Sequence, residues 1–522
     1  MPRLYISLAS LVAGSLLTLS FAPFDFWPLG LLSLALFAWL NLYAAGRRQL
    51  PGRSTLWLAF CFGLGLFVSG ASWVYVSITQ FGGSSVVLGV ALTGAFAAIM
   101  ALLFALPFFF LGHFTDHRLS FALAFAALWF LSEWLRSWLF TGFPWLFSGY
   151  GHVHTWLSGW APVVSVYGMG LLLALTAATA ALLVSGRLRP LRYRADAVLL
   201  TAVLAIWPLG ALLSQVPWTQ TAGEPLSVGL VQANIPQEKK WLPAFRGETI
   251  DRYQEATRNL SGQGVDVIVW PEAALPLLYH QAPNLMQALQ RNAEQSGIDL
   301  ISGLLYDREA SSEESRAHRV VYNSAAVFGR TPQVYHKRHL VPFGEYVPLE
   351  NWIRGTIEFF DLPTSFIRSG PDKQQPLNAG DATWAPLICY EIVYPSLVAD
   401  SALNAQVLLT ISNDAWFGDS IGPLQHMQMA QMRALETGRY LVRGTNTGVT
   451  AIVDPHGRIT QRLPQFERAT LVGRITAMQG ATPFMLAGIT LPFALALPML
   501  AIGLAVRHRP TPEQDTKLTA KR

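Results

Sequence analysis

From Ser54 to Thr115 the chain carries no Asp, Glu, Lys or Arg, and about twenty such residues suffice to cross the hydrocarbon core of a bilayer. The stretch therefore reads as two membrane spans divided at a turn over 80–85. The composition points the same way: of 522 residues, 52% are hydrophobic and only 13% charged, too apolar for an ordinary soluble protein of this length. The expected fold begins as a polytopic α-helical membrane protein.

Apolar runs predict eight spans, at 4–22, 27–45, 56–77, 86–111, 119–140, 160–185, 195–215 and 483–506. The first lacks a small-x-small cleavage site and is expected to be retained. Every even-numbered exit is basic: Arg47, Arg48 and Arg53, then Arg118, then Arg187, Arg189, Arg192 and Arg194, and finally Arg507, Arg509, Lys517, Lys521 and Arg522. The odd-numbered exits at 22–26, 77–85 and 141–156 have no Lys or Arg. The positive-inside rule then puts both termini in the cytoplasm and the polar block after span seven on the outer side. The net charge of +5 is explained by these loops, so no nucleic-acid partner is expected.

Between about 224 and 479 the pattern changes to short apolar runs separated by polar helices, which predicts an α/β domain. Strands are expected at 226–235, 265–270, 298–306, 320–329, 385–392, 405–413, 447–455 and 469–475, and helices at 248–260, 284–296, 395–403 and 423–438. The expected organisation is a seven-helix transmembrane domain over 1–220, an outward domain over 221–480, an eighth span over 481–506 and a cytoplasmic tail over 507–522.

Three places set reactive side chains just past apolar runs, where a sheet presents them at its carboxyl edge. Glu272 follows a strand and a proline in VIVWPEAALP; Lys337 follows a strand in YHKRHLVPFGEYVP, with Glu345 shortly after; Cys389 closes a strand in APLICYEIVYP. With Cys61 in a predicted span, Cys389 is expected to be a free thiol.

These motifs resemble the nitrilase superfamily, whose members use a Glu-Lys-Cys triad on an α-β-β-α sandwich. The resemblance covers essentially the whole polar block, including SNDAWFG and RALETGRYLVRGTNTGVTAIVDPHGRI. With seven spans before the block and one after, the chain resembles the membrane-embedded branch of that superfamily, the apolipoprotein N-acyltransferases of bacterial envelopes. The resemblance implies a fatty acyl group moving from a membrane phospholipid, through a cysteine thioester, to the N-terminal amine of a diacylglyceryl-cysteine apolipoprotein. It implies a monomer in a Gram-negative inner membrane, with no cofactor and no metal.

The chemistry also has its own rationale. A cysteine attacks as its thiolate, so a base must take the proton, and Glu272 is placed for that. Attack on an ester builds negative charge on oxygen, which Lys337 and the amide of Tyr390 would stabilise. Glu345 would orient Lys337 or pass protons. The resemblance adds Tyr390 and Glu391 as site neighbours and Trp241 as a substrate-binding residue near the acyl chain.

Other features are expected to be structural. Glu133 and Arg136, three residues apart in span five, read as an ion pair at the outer interface, with a lipid head-group contact as the alternative. His152 and His154 lack carboxylate or cysteine partners at ligand spacing and read as an interfacial loop. His426, among methionines, reads as helix-face packing. The segment 352–366, with Trp352, Phe359 and Phe360, reads as domain packing, as a loop on the bilayer or as the lining of an acyl pocket. Two rival functions remain: a membrane-tethered amidase with water as acceptor, and a transporter or scaffold with an inert outer domain.

Overall fold

The computed structural model describes residues 3–46, 53–310, 319–346 and 367–507. The segment 352–366 and the tail beyond Arg507 lie outside the described residues. The chain divides into two compact units, one comprising 1–72, 90–216 and 487–522, the other 73–89 and 217–486.

The first unit is a helical bundle built from α1 (Arg3–Thr18), α2 (Trp27–Gly46), α3 (Arg53–Gly70), most of α5 (Val86–Ala105), α6 (Arg118–Trp138), α7 (Ala161–Val184) and α8 (Arg194–Leu213), with α15 (Thr490–Val506) near the C-terminus. Among the described residues, five helices are long and apolar enough to cross a membrane. A sixth is counted if Ser54–Gly70 and Trp73–Phe81, which are separated by a break, form one span. The remaining two expected spans correspond to shorter apolar helices, Leu4–Thr18 and Thr490–Val506. The break in the expected third span falls at Ala71-Ser72, directly after Ser69-Gly70, a pair of the type that kinks helices. There the Ser69 hydroxyl turns back onto the Gly65 carbonyl at 2.7 Å.

Small residues let α1 and α3 meet backbone to backbone: a Cβ on Gly14 would lie 1.8 Å from the Phe62 carbonyl oxygen, and one on Gly65 would lie 2.0 Å from that of Leu11. Arg187 donates to the carbonyls of both Thr115 (3.2 Å) and Leu42 (3.2 Å). Arg118 pairs with Asp196 at 2.5 Å. These contacts draw Leu42 near the end of α2, Thr115 before α6 and Arg187 after α7 to one end of the bundle, where Arg118 also meets α8.

Two expectations for this unit are corrected. Glu133 and Arg136 are buried within the bundle, 0% and 1% exposed, rather than set at an outer interface against lipid, and each is held mainly by local backbone and ring groups. Glu133 Oε1 accepts from Trp129 Nε1, Ser148 N and Ser148 Oγ; Arg136 Nη1 donates to the Trp145 carbonyl and its guanidinium lies over Phe67 and Phe147. His152 is likewise buried, between the rings of Trp27 and Trp207.

Among the described residues the second unit contains two large sheets, besides a two-stranded pairing of Gln220–Thr221 with Met478–Gln479. The first runs in the order β14 (Ala469–Ile475), β2 (Leu226–Gln232), β3 (Val267–Val269), β5 (Asp299–Glu309), β6 (Arg319–Phe328), β7 (Gln333–His336), with β4 (Leu275–Leu278) beside β5. The second runs β13 (Ile459–Arg462), β12 (Ala451–Val453), β11 (Tyr440–Thr445), β10 (Val407–Ser412), β9 (Ala382–Ile388), β8 (Leu377–Ala379). Alternation along each strand decides the layers. Val228 and Leu230 of β2 share a core with Ile388, Leu409 and Val442 of the other sheet. Val231 points the other way, to Tyr253 and Leu260 of α10 (Arg246–Ser261) and Met286 of α11 (Pro283–Ser296). On the far side, α12 (Pro395–Leu403) and α13 (Gly422–Thr437) pack on β9 and β11. The result is the expected α-β-β-α sandwich.

Candidate active site

The parallel register of β9 with β10 sets Ile388 opposite Ile411, so the next residues, Cys389 and Ser412, face each other across the sheet edge. Cys389 does not continue the strand. Its φ of +53° lies in the left-handed region that non-glycine residues rarely occupy, and the chain turns there into a short 3₁₀ segment, Cys389–Val393. The expected strand over 385–392 therefore stops four residues early. The turn leaves Cys389 half-buried at the sheet edge.

Glu272, Lys337 and Glu345 are all buried, at 7%, 1% and 8% exposure. Lys337 Nζ lies 2.8 Å from Glu345 Oε2 and 3.5 Å from Glu272 Oε1. Asn323 spans the two carboxylates, donating from Nδ2 to Glu272 Oε1 at 2.7 Å and to Glu345 Oε1 at 2.8 Å. The Asn413 amide donates to Glu272 Oε2 at 2.7 Å, and that of Val341 to Glu345 Oε2 at 2.9 Å. Every carboxylate oxygen thus has a neutral donor, and one oxygen of each carboxylate also faces the lysine.

Burial opposes a charge on Lys337, but Glu345 and Glu272 outweigh it and hold the ammonium well above its ordinary pKa. Burial and the Glu272 charge push the Cys389 thiol up, with Lys337 pulling the other way. The resting arrangement is a neutral thiol beside an ionised lysine, so forming a thiolate requires a base close at hand.

Glu391, expected only as a neighbour, is fully buried and clamps two segments together. Its Oε1 accepts from Tyr335 Oη and from the amides of Arg338 and His339; its Oε2 accepts from the Ile388 amide at 2.7 Å. One carboxylate thereby ties the residues after Lys337 to the residue before Cys389. Tyr390 is buried with its ring edge-on to Tyr394. Trp241, at the end of α9 (Gln237–Lys240), packs against Leu305, Val321 and Ile367.

Several site residues escape a sequence reading. Asn323 shows only as one polar position in the apolar run VVYNSAAVFG, and Asn413 contributes a backbone amide, which leaves no trace in sequence. His426 corrects the expectation of plain packing: its Nε2 donates to the Cys389 carbonyl at 3.2 Å, and its Nδ1 lies 3.1 Å from both Asp414 Oδ1 and Arg443 Nη2. Arg443 Nη2 in turn pairs with Asp414 Oδ2 at 2.7 Å. Burial, then the Arg443 charge, lowers the His426 pKa, which favours a neutral ring that donates from Nε2.

Residues 13–179 match the family model described as the apolipoprotein N-acyltransferase N-terminal domain, and residues 227–483 match that described as carbon-nitrogen hydrolase. The apolipoprotein N-acyltransferase of Azotobacter vinelandii is 46% identical over 486 residues, which cover 92% of this chain and 91% of that protein. The protein of the same description from Pseudomonas aeruginosa is 45% identical over 502 residues, covering 94% and 95%. That from Coxiella burnetii is 38% identical over 484 residues, covering 92% and 96%. With likeness of this order running through both the helical unit and the sandwich, the chain belongs to the apolipoprotein N-acyltransferase family of acyltransferase enzymes.

Proposed function

We propose that the protein moves a fatty acyl group from a membrane phospholipid to the N-terminal amine of a diacylated apolipoprotein, in two steps through Cys389. In the first, Glu272 takes the thiol proton as sulfur attacks the ester carbonyl. The carbon–oxygen bond of the ester breaks, the proton passes to the leaving alkoxide, and a lysophospholipid departs. In the second, the acceptor amine attacks the thioester, loses a proton to Glu272 and leaves as an amide, and the sulfur regains a proton. Lys337 and the Tyr390 amide stabilise the oxyanion of each step, Glu345 holds Lys337, and Trp241 lies along the acyl chain.

The observation that carries this reading is the Glu272–Lys337–Glu345 cluster beside a strained, partly open Cys389, in a chain with several helices long and apolar enough to cross the bilayer in which lipid substrates reside. The meeting of the ends of the second, fourth and sixth expected spans at one end of the bundle, with Arg187 and Arg118 there, supports cytoplasmic termini and a catalytic domain facing the periplasm. We place that domain at 221–480, after a transmembrane domain over 1–220 and before an eighth span over 481–506 and a cytoplasmic tail, in a protein that acts as a monomer.

The test is incubation of the purified full chain with phospholipid alone, followed by intact-mass measurement, then addition of a synthetic diacylated lipopeptide. An acyl adduct on Cys389 that is discharged by the lipopeptide is expected, and Cys389→Ala should neither load nor transfer. Transfer retained in Cys389→Ala would overturn the proposal. Ammonia release from small amides without lipopeptide acylation would replace it with hydrolysis.

A further inference from the structure

A second lysine lies in the site without an acidic partner. Lys240, the last residue of α9, is 1% exposed. Its Nζ donates to the backbone carbonyl of Glu272 at 3.2 Å. Among the described residues it makes no other hydrogen bond, and no carboxylate lies within 4 Å of it. An ammonium has three donors, so two are unused.

The placement is built from both ends. Gln237, at the start of α9, accepts from Asn413 Nδ2 at 2.8 Å, and the Asn413 amide is the donor that holds Glu272 Oε2. The segment 237–240 is therefore fastened across the Glu272 loop, with its lysine turned inward.

Charge counting gives the lysine a purpose. Glu272, Glu345 and Lys337 together carry one net negative charge, buried. When Glu272 takes the proton of Cys389, that charge is not removed; it moves to sulfur and then to the oxyanion. A buried, uncompensated anion is costly. With Lys240 charged, the cluster is neutral before and after the proton transfer.

We propose that Lys240 is the second cation of this site, its ammonium compensating the anion that forms when the Cys389 proton passes to Glu272. Lys240 acts through Cys389 and Glu272, not by contact with substrate. The inference rests on the assignment of Cys389 as nucleophile and goes beyond the triad. Burial lowers the Lys240 pKa to about 8, with Glu272 and Cys389 drawing it back up, so the cation is present at neutral pH and is lost in mild alkali. A buried cation with no acidic partner also weakens the fold, the pattern expected where a site trades stability for chemistry.

The test is alkylation of Cys389 by iodoacetamide in the detergent-purified full chain, located by peptide mass, across pH 6–10. Relative to wild type, Lys240→Met should slow alkylation at pH 7 by about tenfold or more, one unit of thiol pKa being tenfold in thiolate. Lys240→Arg should stay within about threefold. Lys240→Met should also melt no lower than wild type, since a methionine fills the space without the buried charge. Unchanged alkylation in folded Lys240→Met overturns the proposal, and so does a loss of folding in both Lys240→Met and Lys240→Gln, which would make the residue a structural support. The assay needs no acyl transfer, so wild-type protein that transfers acyl groups while Lys240→Met alkylates normally refutes the role of Lys240 alone. Cys389→Ala that still transfers refutes the nucleophile itself.

Discussion

His426 Nε2 donates to the carbonyl oxygen of Cys389 across 3.2 Å, so a helix side chain holds the backbone of a residue whose φ of +53° is intrinsically unfavourable. The strain at Cys389 persists only because surrounding groups fix it. His426 is one such group, and its own orientation is set by Asp414 and Arg443.

His426→Leu removes the donor and leaves a buried carbonyl unsatisfied, at about 1–3 kcal/mol. If that cost falls on the conformer that presents the thiol, the rate of thioester formation drops roughly 5- to 150-fold. His426→Gln keeps an N–H in reach and should restore much of the rate. The check is single-turnover loading of Cys389 from phospholipid, which separates this step from release to the acceptor.

Glu391 makes a second prediction. Four donors converge on its carboxylate, and an amide at this position would set an N–H against one of them. Glu391→Gln should lower activity by about tenfold, and Glu391→Ala by more, because freeing the Ile388 and Arg338 amides loosens Cys389 relative to Lys337. Unsatisfied buried donors cost about 1–3 kcal/mol each, so both variants should melt below wild type. Activity lost with an unchanged melting temperature would point instead to direct contact with substrate.

Gly303 should prove as sensitive as a catalytic group although it carries no chemistry. A Cβ there would lie 2.4 Å from the Pro271 carbonyl oxygen and 2.6 Å from Glu272 Cα, and both are backbone atoms that cannot swing aside. Gly303→Ala should displace the Glu272 loop and cut activity by tens of times. Gly262→Ala, where the nearest atom is 3.7 Å away, serves as the control and should be close to wild type. Paired activity and melting measurements decide the matter.

Which parts of this architecture were legible in sequence follows from where the signal resides. The helices α10 to α13 lie within two residues of the expected positions, because their polar and apolar residues repeat at the helical period and glycines stop them at Gly297 and Gly438. Strand β14 was read in full over 469–475. Strand β11 (Tyr440–Thr445) was missed: it carries Arg443 and Gly444 in its middle, and its buried arginine is tolerated only because Asp414 waits inside the fold. The expected strand over 447–455 shrank to Ala451–Val453, since Asn446 and Gly448 are used to close on Ile235 and Asp414. In the site, side chains at strand ends were legible, whereas Asn413, acting through its amide, and Lys240, one of two adjacent lysines, look unremarkable in sequence.

The pair Asp414–Arg443 is wholly buried and yields a prediction about stability rather than rate. Burial opposes the charge on Asp414, but Arg443 and His426 outweigh it and hold the carboxyl well below its ordinary range. Asp414→Asn would leave Arg443 buried without its counter-charge, and breaking a buried pair from one side costs about 3–5 kcal/mol. The pH dependence has a definite sign. A carboxyl whose pKa is depressed in the folded state stabilises it above the unfolded value of about 3.9, and that contribution is lost as pH falls toward the folded value. Wild type should therefore melt well above Asp414→Asn at pH 7, and the gap should narrow as the pH is taken below about 4. A gap of the same size at both pH values would mean that the carboxyl acts by shape and hydrogen bonding, not by its charge.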